Sequence, residues 1–94
     1  MTEGSPYRSR CRIYFDILRA VAEAEKARTA YLIHQANLSY DRLMSHLGKM
    51  EGLGLIERRM EGEVPNFIIT PKGRKYLAEF RKVEEFGDSF GIIV

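Results

Sequence analysis

The chain has a single cysteine, Cys11. One thiol excludes an internal disulfide and any cysteine-based metal cluster, and it fits a reducing interior. Long apolar runs are missing as well. The apolar positions after Arg12 are repeatedly interrupted by charge, and none approaches the roughly 20 residues that span a bilayer. The opening residues are polar and do not form a secretory-signal pattern. A cytoplasmic domain is the expectation. Charge of one sign is also in short supply: 15 basic residues against 13 acidic ones leave a net charge of only +2. That balance tolerates a polyanionic partner without demanding one, so any binding footprint must come from local clustering.

Catalytic signatures are absent too. There is no nucleophile motif, no phosphate-cradling glycine loop and no acid–base pair at a recognisable spacing. His34 and His46 have no carboxylate at a metal-ligand spacing and are expected to be ordinary surface or half-buried histidines. The expectation is a protein that is not an enzyme, with no metal, no cofactor, no small-molecule substrate and no membrane partner.

What is present is one modest domain's worth of periodic segments. Residues 1–8, with Gly4, Ser5 and Pro6, are expected to be a disordered N-terminal segment. From Ser9 to Ala24, Ile13, Ile17, Ala20, Val21 and Ala24 recur at the spacing of an amphipathic helix, which the charged stretch Glu25 to Arg28 ends. Thr29 is positioned to cap a second helix, Ala30 to Ala36. Asn37-Leu38-Ser39 then forms a turn: asparagine tolerates the left-handed conformation at a helix end, and Ser39 is a good N-cap for the next helix. Leu38, just before that cap, and Leu43 have the spacing of a hydrophobic staple. The third helix, Tyr40 to Leu53, places Leu43, Leu47 and Met50 in one stripe. Asp41, Arg42, Ser45, Gly48, Lys49 and Gly52 project from its other side. Two glycines inside a helix cost about 1 kcal/mol each relative to alanine, which marks either a weak helix or a place of close approach.

Leu55 to Met60 and Asn66 to Thr70 read as strands with residues 61–65 as their turn. Thr70-Pro71 starts a last helix that runs to about Glu85, followed by an apolar tail. Three helices, a two-stranded wing and a C-terminal helix define a mainly α (α+β) winged helix-turn-helix. The boundaries are 9–70 for the winged-helix domain and 71–94 for the C-terminal helix and tail.

That architecture suits a helix presented to the major groove of double-stranded DNA. Arg42 and Lys49 are the leading contact candidates, Ser45 reaches base or phosphate, and Tyr40 packs or bonds a phosphate. Arg58 and Arg59 at the wing base add sequence-independent affinity. Two other basic clusters, Arg8-Arg10-Arg12 and Lys72-Arg74-Lys75, could add to such a footprint, although clusters of this kind are often just solvated surface. Glu61 and Glu63 at the wing tip, and Asp41 at the helix start, oppose a phosphate backbone. Leu77, Phe80, Val83, Phe86 and Phe90 exceed what so small a domain easily covers and are read as a homodimerisation surface. The competing reading folds the tail back onto its own domain.

Three further segments, ANLSY (Ala36 to Tyr40), GLGLI (Gly52 to Ile56) and TPKGRKYL (Thr70 to Leu77), carry a resemblance to a known group. Over about Ile13 to Lys82 the chain resembles the archaeal winged-helix proteins of the Sso-ten-a type and related small archaeal transcription regulators. The resemblance implies a dimeric winged helix that binds double-stranded DNA without catalysis or cofactor. It maps recognition positions onto Ser39, Tyr40, Arg42, Ser45 and Lys49. The chain departs from the group in having Asp41, Gly48 and Gly52 on its third helix. It departs also at Gly87, which is expected to cut short the last helix that forms an antiparallel coiled coil in the group. The resulting expectation is a nucleoid-associated transcription regulator or chromatin component. The alternative is a winged helix used as a protein-interaction module.

Overall fold

The computed structural model describes residues 8–24 and 26–94. Of residues 1–8, expected to be disordered, 1–7 lie outside the described residues, whereas Arg8 is held in place by Asp16 and by the carbonyls of Ala36 and Asn37. The elements in order are α1 (Arg10–Glu23), β1 (Ala27–Arg28), α2 (Thr29–Ala36), α3 (Tyr40–Gly52), β2 (Ile56–Glu61), β3 (Val64–Ile69) and α4 (Pro71–Ser89). Helices α1, α2 and α3 with the β2–β3 hairpin make the expected winged helix.

The Ser9 hydroxyl caps α1 by accepting the Arg12 N–H at 3.1 Å. The helix buries Ile13, Tyr14, Phe15, Ile17, Leu18, Ala20 and Val21, far more than one stripe, because α2, β3 and α4 all pack on it. It is the central post of the core.

The stretch expected only to end α1 does more. Ala27 and Arg28 pair antiparallel with Phe67 and Asn66, which makes a three-stranded sheet in the order β1-β3-β2. Two residues are too few to show a period of two, so this strand has no sequence pattern. It also alters the start of α2. Thr29 is inside the helix, and the N-cap is Arg28, which makes no side-chain capping bond. The strand pairing of Arg28 orients the chain into the helix, a task expected of the Thr29 hydroxyl.

The turn between α2 and α3 forms as the residues suggest. Asn37 is left-handed at φ 53°, ψ 57°, and the Ser39 hydroxyl accepts the Arg42 N–H at 3.3 Å. Leu38 and Leu43 are both buried, as a staple requires. In α3, Leu43, Leu47 and Met50 are fully buried, whereas Leu53 is half exposed just past the helix end.

The hairpin is tighter than expected. Glu61 pairs with Val64, so only Gly62-Glu63 forms the loop, and residues 61, 64 and 65 belong to strands. Gly62 takes φ 62°, the backbone a two-residue connection demands at its first position. Pro65 is tolerated because a two-residue loop makes Met60–Pro65 a non-hydrogen-bonded pair. Its nitrogen therefore faces away from β2, where β1 has already ended at the partner of Asn66.

Thr70 starts α4. Its hydroxyl oxygen accepts the Gly73 N–H at 3.0 Å and donates to the Gly54 carbonyl at 2.6 Å, with Pro71 in the first turn. Helix α4 docks on α1 through Phe80 against Phe15 (ring centroids 4.9 Å apart) and an ion pair between Arg12 and Glu84. The Tyr76 hydroxyl also donates to the Cys11 carbonyl at 2.8 Å. Burial, then the neighbouring Cys11 side chain, pushes the Tyr76 phenol up. Gly87 does not cut the helix short. It lies within α4, and the chain turns after it so that the Ile92 N–H donates to the Gly87 carbonyl at 2.7 Å. A Cβ on Gly87 would stand 2.6 Å from the Ile92 carbonyl oxygen, so the glycine admits the returning tail.

Candidate nucleic-acid interface

Helix α3 rests on its Leu43–Leu47–Met50 stripe, and that sets the opposite side outward. Tyr40, Asp41, Arg42, Ser45, Gly48, Lys49 and Gly52 are all exposed. Ser39 is exposed too, but its hydroxyl is already engaged as the cap. Arg42 and Lys49 have no carboxylate within 4.0 Å among the described residues. A Cβ built on Gly48 or Gly52 meets nothing within 4 Å. Among the described residues neither glycine is therefore demanded by packing, and the outer face of α3 is a smooth, open surface edged by two cations that no described carboxylate compensates.

Arg58 and Arg59, at the wing base, emerge on opposite faces of β2, as alternation along a strand requires. Arg58 shares the face of its cross-strand partner Phe67, lies over that ring at 5.3 Å, and is bound to Glu51 of α3 at 2.8 Å. Arg59 pairs with Glu57 at 3.2 Å on the other face. Both charges are partly spent within the fold. The wing-tip acids also differ from each other. Glu61 is held by Lys26 at 2.7 Å and Arg28 at 2.6 Å. Its carboxyl lies below the ordinary range, chiefly through the hydrogen bond from Lys26. It is thus largely neutralised and repels a phosphate far less than its sequence position suggests. Glu63 has no such partner among the described residues.

Three contributors were not legible as site residues. The Arg8 guanidinium donates to the Ala36 carbonyl at 2.9 Å and the Asn37 carbonyl at 3.0 Å, and binds Asp16 at 2.8 Å. It thereby fastens the turn that aims α3. Arg10 is exposed at the start of α1. His46, midway along α3, meets Tyr14 of α1 edge-on at 5.7 Å, and its Nδ1 is buried without a hydrogen-bond partner. Burial, followed by the charges of Arg42, Lys49, Arg10 and Arg8, lowers the His46 pKa. The Arg8-Arg10-Arg12 cluster was the available signal. A sequence does not tell which helix such a cluster will face.

At the far end, Leu77 and Phe80 from the expected pairing surface are buried in the chain's own core, where α4 packs on α1. Val83, Phe86 and Phe90 are exposed, as are Ile92 and Ile93. Val94 returns to pack against the core. Cys11 is exposed beside the groove between α1 and α4. No helix of the described residues is long and apolar enough to cross a membrane.

Three helices, a turn fixed by Asn37 and Ser39, and a β-hairpin define a winged helix with an added C-terminal helix. The chain belongs to the winged helix-turn-helix family, whose model matches residues 7–87. No curated protein matches it. Among solved structures it is similar to Sso10a-2, a DNA-binding protein from Sulfolobus solfataricus. The identity is 26% and the TM-score 0.76, covering 89% of this chain and 90% of that one. It is also similar to the transcriptional regulator BldR from the same organism, at 27% identity and a TM-score of 0.67. That match covers 81% of this chain, which spans 60% of the BldR chain. AF1382 from Archaeoglobus fulgidus, at 17% identity and a TM-score of 0.69 over 82% of this chain and 85% of that one, shares the fold.

Proposed function

We propose that the chain binds double-stranded DNA with the outer face of α3 in the major groove, and that it acts as a transcription regulator or chromatin-associated protein. The observation that carries this is the state of Arg42 and Lys49. Both are exposed at one side of a helix whose outermost positions, Gly48 and Gly52, leave space for another molecule. Cations without internal partners on a protruding helix suit phosphate and base contact. Similarity to a DNA-binding protein and a transcriptional regulator supports the same reading. Ser39, Tyr40 and Ser45 complete the contact surface, and Arg58 and Arg59 add a weaker contribution because each is shared with a carboxylate. Catalysis has no part in this reading.

The working unit is a homodimer joined through Val83, Phe86 and Phe90 of α4. The Phe86 and Phe90 rings lie against each other at a tilt, 5.0 Å between centroids, while remaining largely in solvent, and a symmetric partner would cover them and set two α3 helices on one duplex.

Titration of a labelled duplex with increasing salt tests the first part. Arg42→Ala/Lys49→Ala is expected to weaken binding and flatten the log–log salt slope by about 0.9 per lost phosphate contact. Unchanged binding removes α3 from the interface. No duplex affinity at low salt favours the protein-interaction alternative. Sedimentation tests the second part: Phe86→Ser/Phe90→Ser is expected to convert a dimer to a monomer, and a monomeric wild type overturns it.

A further inference from the structure

Helix α1 breaks a local electrostatic rule at its start. The positive end of a helix dipole favours acidic residues, yet the first turn of α1 holds Arg10 and Arg12 and no acid. Arg12 is accounted for: it binds Glu84, approaches Asp16 at 3.8 Å and lies over the rings of Phe15 and Phe80. Arg10 has no carboxylate partner among the described residues. A cation held at the positive end of a helix without compensation is a small local cost, and such conflicts gather at functional sites.

The placement of Arg10 shows what it faces. Tyr14 is one turn further along the same side of α1, and Tyr14 touches His46 of α3. On α3, Arg42 and Lys49 lie four residues before and three after His46, on the same side. The two helices therefore bring Arg10, Arg42 and Lys49 around one imidazole. The charged and titratable groups that act on His46 are Arg42 and Lys49 from α3 and Arg10 and Arg8 from the start of the described chain, with the Tyr14 phenol against its ring. No carboxylate is among them. The nearest acid on α1's neighbouring turn, Asp16, is already bound by Arg8 at 2.8 Å.

We infer that Arg10 is a DNA-contacting residue: with Arg42 and Lys49 it forms one seat for a backbone phosphate of the duplex, with His46 at its centre. The inference rests on the DNA-binding reading and extends the contact surface from α3 to the first turn of α1. It follows that a seated phosphate offsets the cationic repulsion that adds to burial in lowering the His46 pKa, and accepts a hydrogen bond from the imidazolium. Duplex binding then takes up a proton.

Two measurements on the full chain test this. The first is the salt dependence of duplex binding for wild type, Arg10→Ala and a control, Lys82→Ala, which removes an exposed lysine far along α4. Arg10→Ala is expected to weaken binding and lower the slope by about 0.9, the value for one phosphate contact, and Lys82→Ala to change neither. The second is an NMR titration of His46 in a His34→Gln background, with and without duplex. The duplex is expected to raise the midpoint above the ordinary histidine value of 6.5, whereas inorganic phosphate at matched ionic strength leaves it low. An Arg10→Ala slope equal to wild type, or a His46 midpoint unmoved by duplex, overturns the seat while leaving α3 binding intact. A wild type that binds no duplex overturns both readings.

Discussion

Gly73 of α4 faces the carbonyl of Leu55 so closely that a Cβ on the glycine would stand 2.3 Å from that oxygen and 2.7 Å from the Ile69 side chain. Leu55 follows α3 and leads into β2, so this approach locks the start of α4 to the junction between α3 and the wing. Thr70 closes the same junction through its bond to the Gly54 carbonyl. The obstacle to a Cβ is backbone, which cannot rotate aside. Gly73→Ala is therefore expected to destabilise the fold by about 2–3 kcal/mol, the upper part of the overpacking range. Thermal unfolding should show a fall in Tm on the order of 10 °C for a domain of this size. An unchanged Tm would mean that the junction is looser than this geometry requires.

Gly48 behaves in the opposite way. A Cβ there touches nothing, so Gly48→Ala is expected to stabilise the protein by about 1 kcal/mol through helix propensity alone. The added methyl nevertheless projects from the outer face of α3, between that helix and a docked duplex. The variant should melt higher and bind DNA more weakly, and calorimetry with anisotropy on one preparation reads both. Tighter or equal binding would place the duplex away from this face.

The Glu61 carboxylate ties the hairpin tip to β1 through Lys26 and Arg28, and its pKa is depressed from the ordinary 4.5. A depressed carboxylate stabilises the folded state above its unfolded pKa, and that contribution is lost as pH falls through the folded value. The side chain is solvent-exposed, so the effect is small. Glu61→Gln is expected to lower stability slightly at pH 7 and to converge with wild type well below pH 4.5. Chemical denaturation across that window checks the convergence. A constant difference at every pH would mean that the carboxylate's charge is not the source.

How much of this was legible in the sequence depends on whether a feature is local. The turn was readable because Asn37 and Ser39 act on their own neighbours: one supplies a left-handed backbone, the other a cap within three residues. The buried stripe of α3 was readable because its period is intrinsic to a helix. Strand β1 was not, since Ala27 and Arg28 are strand only by pairing with residues about 40 positions later. The partition of the arginines was hidden for the same reason. Arg58, Arg42 and Arg10 look alike in sequence. Only the fold sets Glu51 beside the first, open solvent beside the second and His46 near the third. The start of α2 shows the converse: Thr29 satisfies a local capping rule, yet the chain enters the helix from a paired strand and leaves that rule unused.

Arg8 provides the most direct test of how α3 is aimed. Its guanidinium meets the carbonyls of Ala36 and Asn37, at the end of α2, while Asp16 of α1 holds it from the other side. Charge-assisted bonds of this kind contribute about 1.5–3 kcal/mol each before the cost of ordering the side chain. Their loss in Arg8→Ala is expected to lower overall stability by about 2 kcal/mol. It should also speed amide exchange at Leu38 and Leu43, beyond the acceleration at Leu18 and Ile69 in the core. Arg8→Lys keeps the charge but not the fork, and reaches only one carbonyl at a time. It should recover less than half of the stability while leaving the salt slope of DNA binding unchanged. If Arg8→Ala instead lowers that slope by a full contact at unchanged stability, the arginine reaches phosphate directly, and the turn is held by its own caps at Asn37 and Ser39.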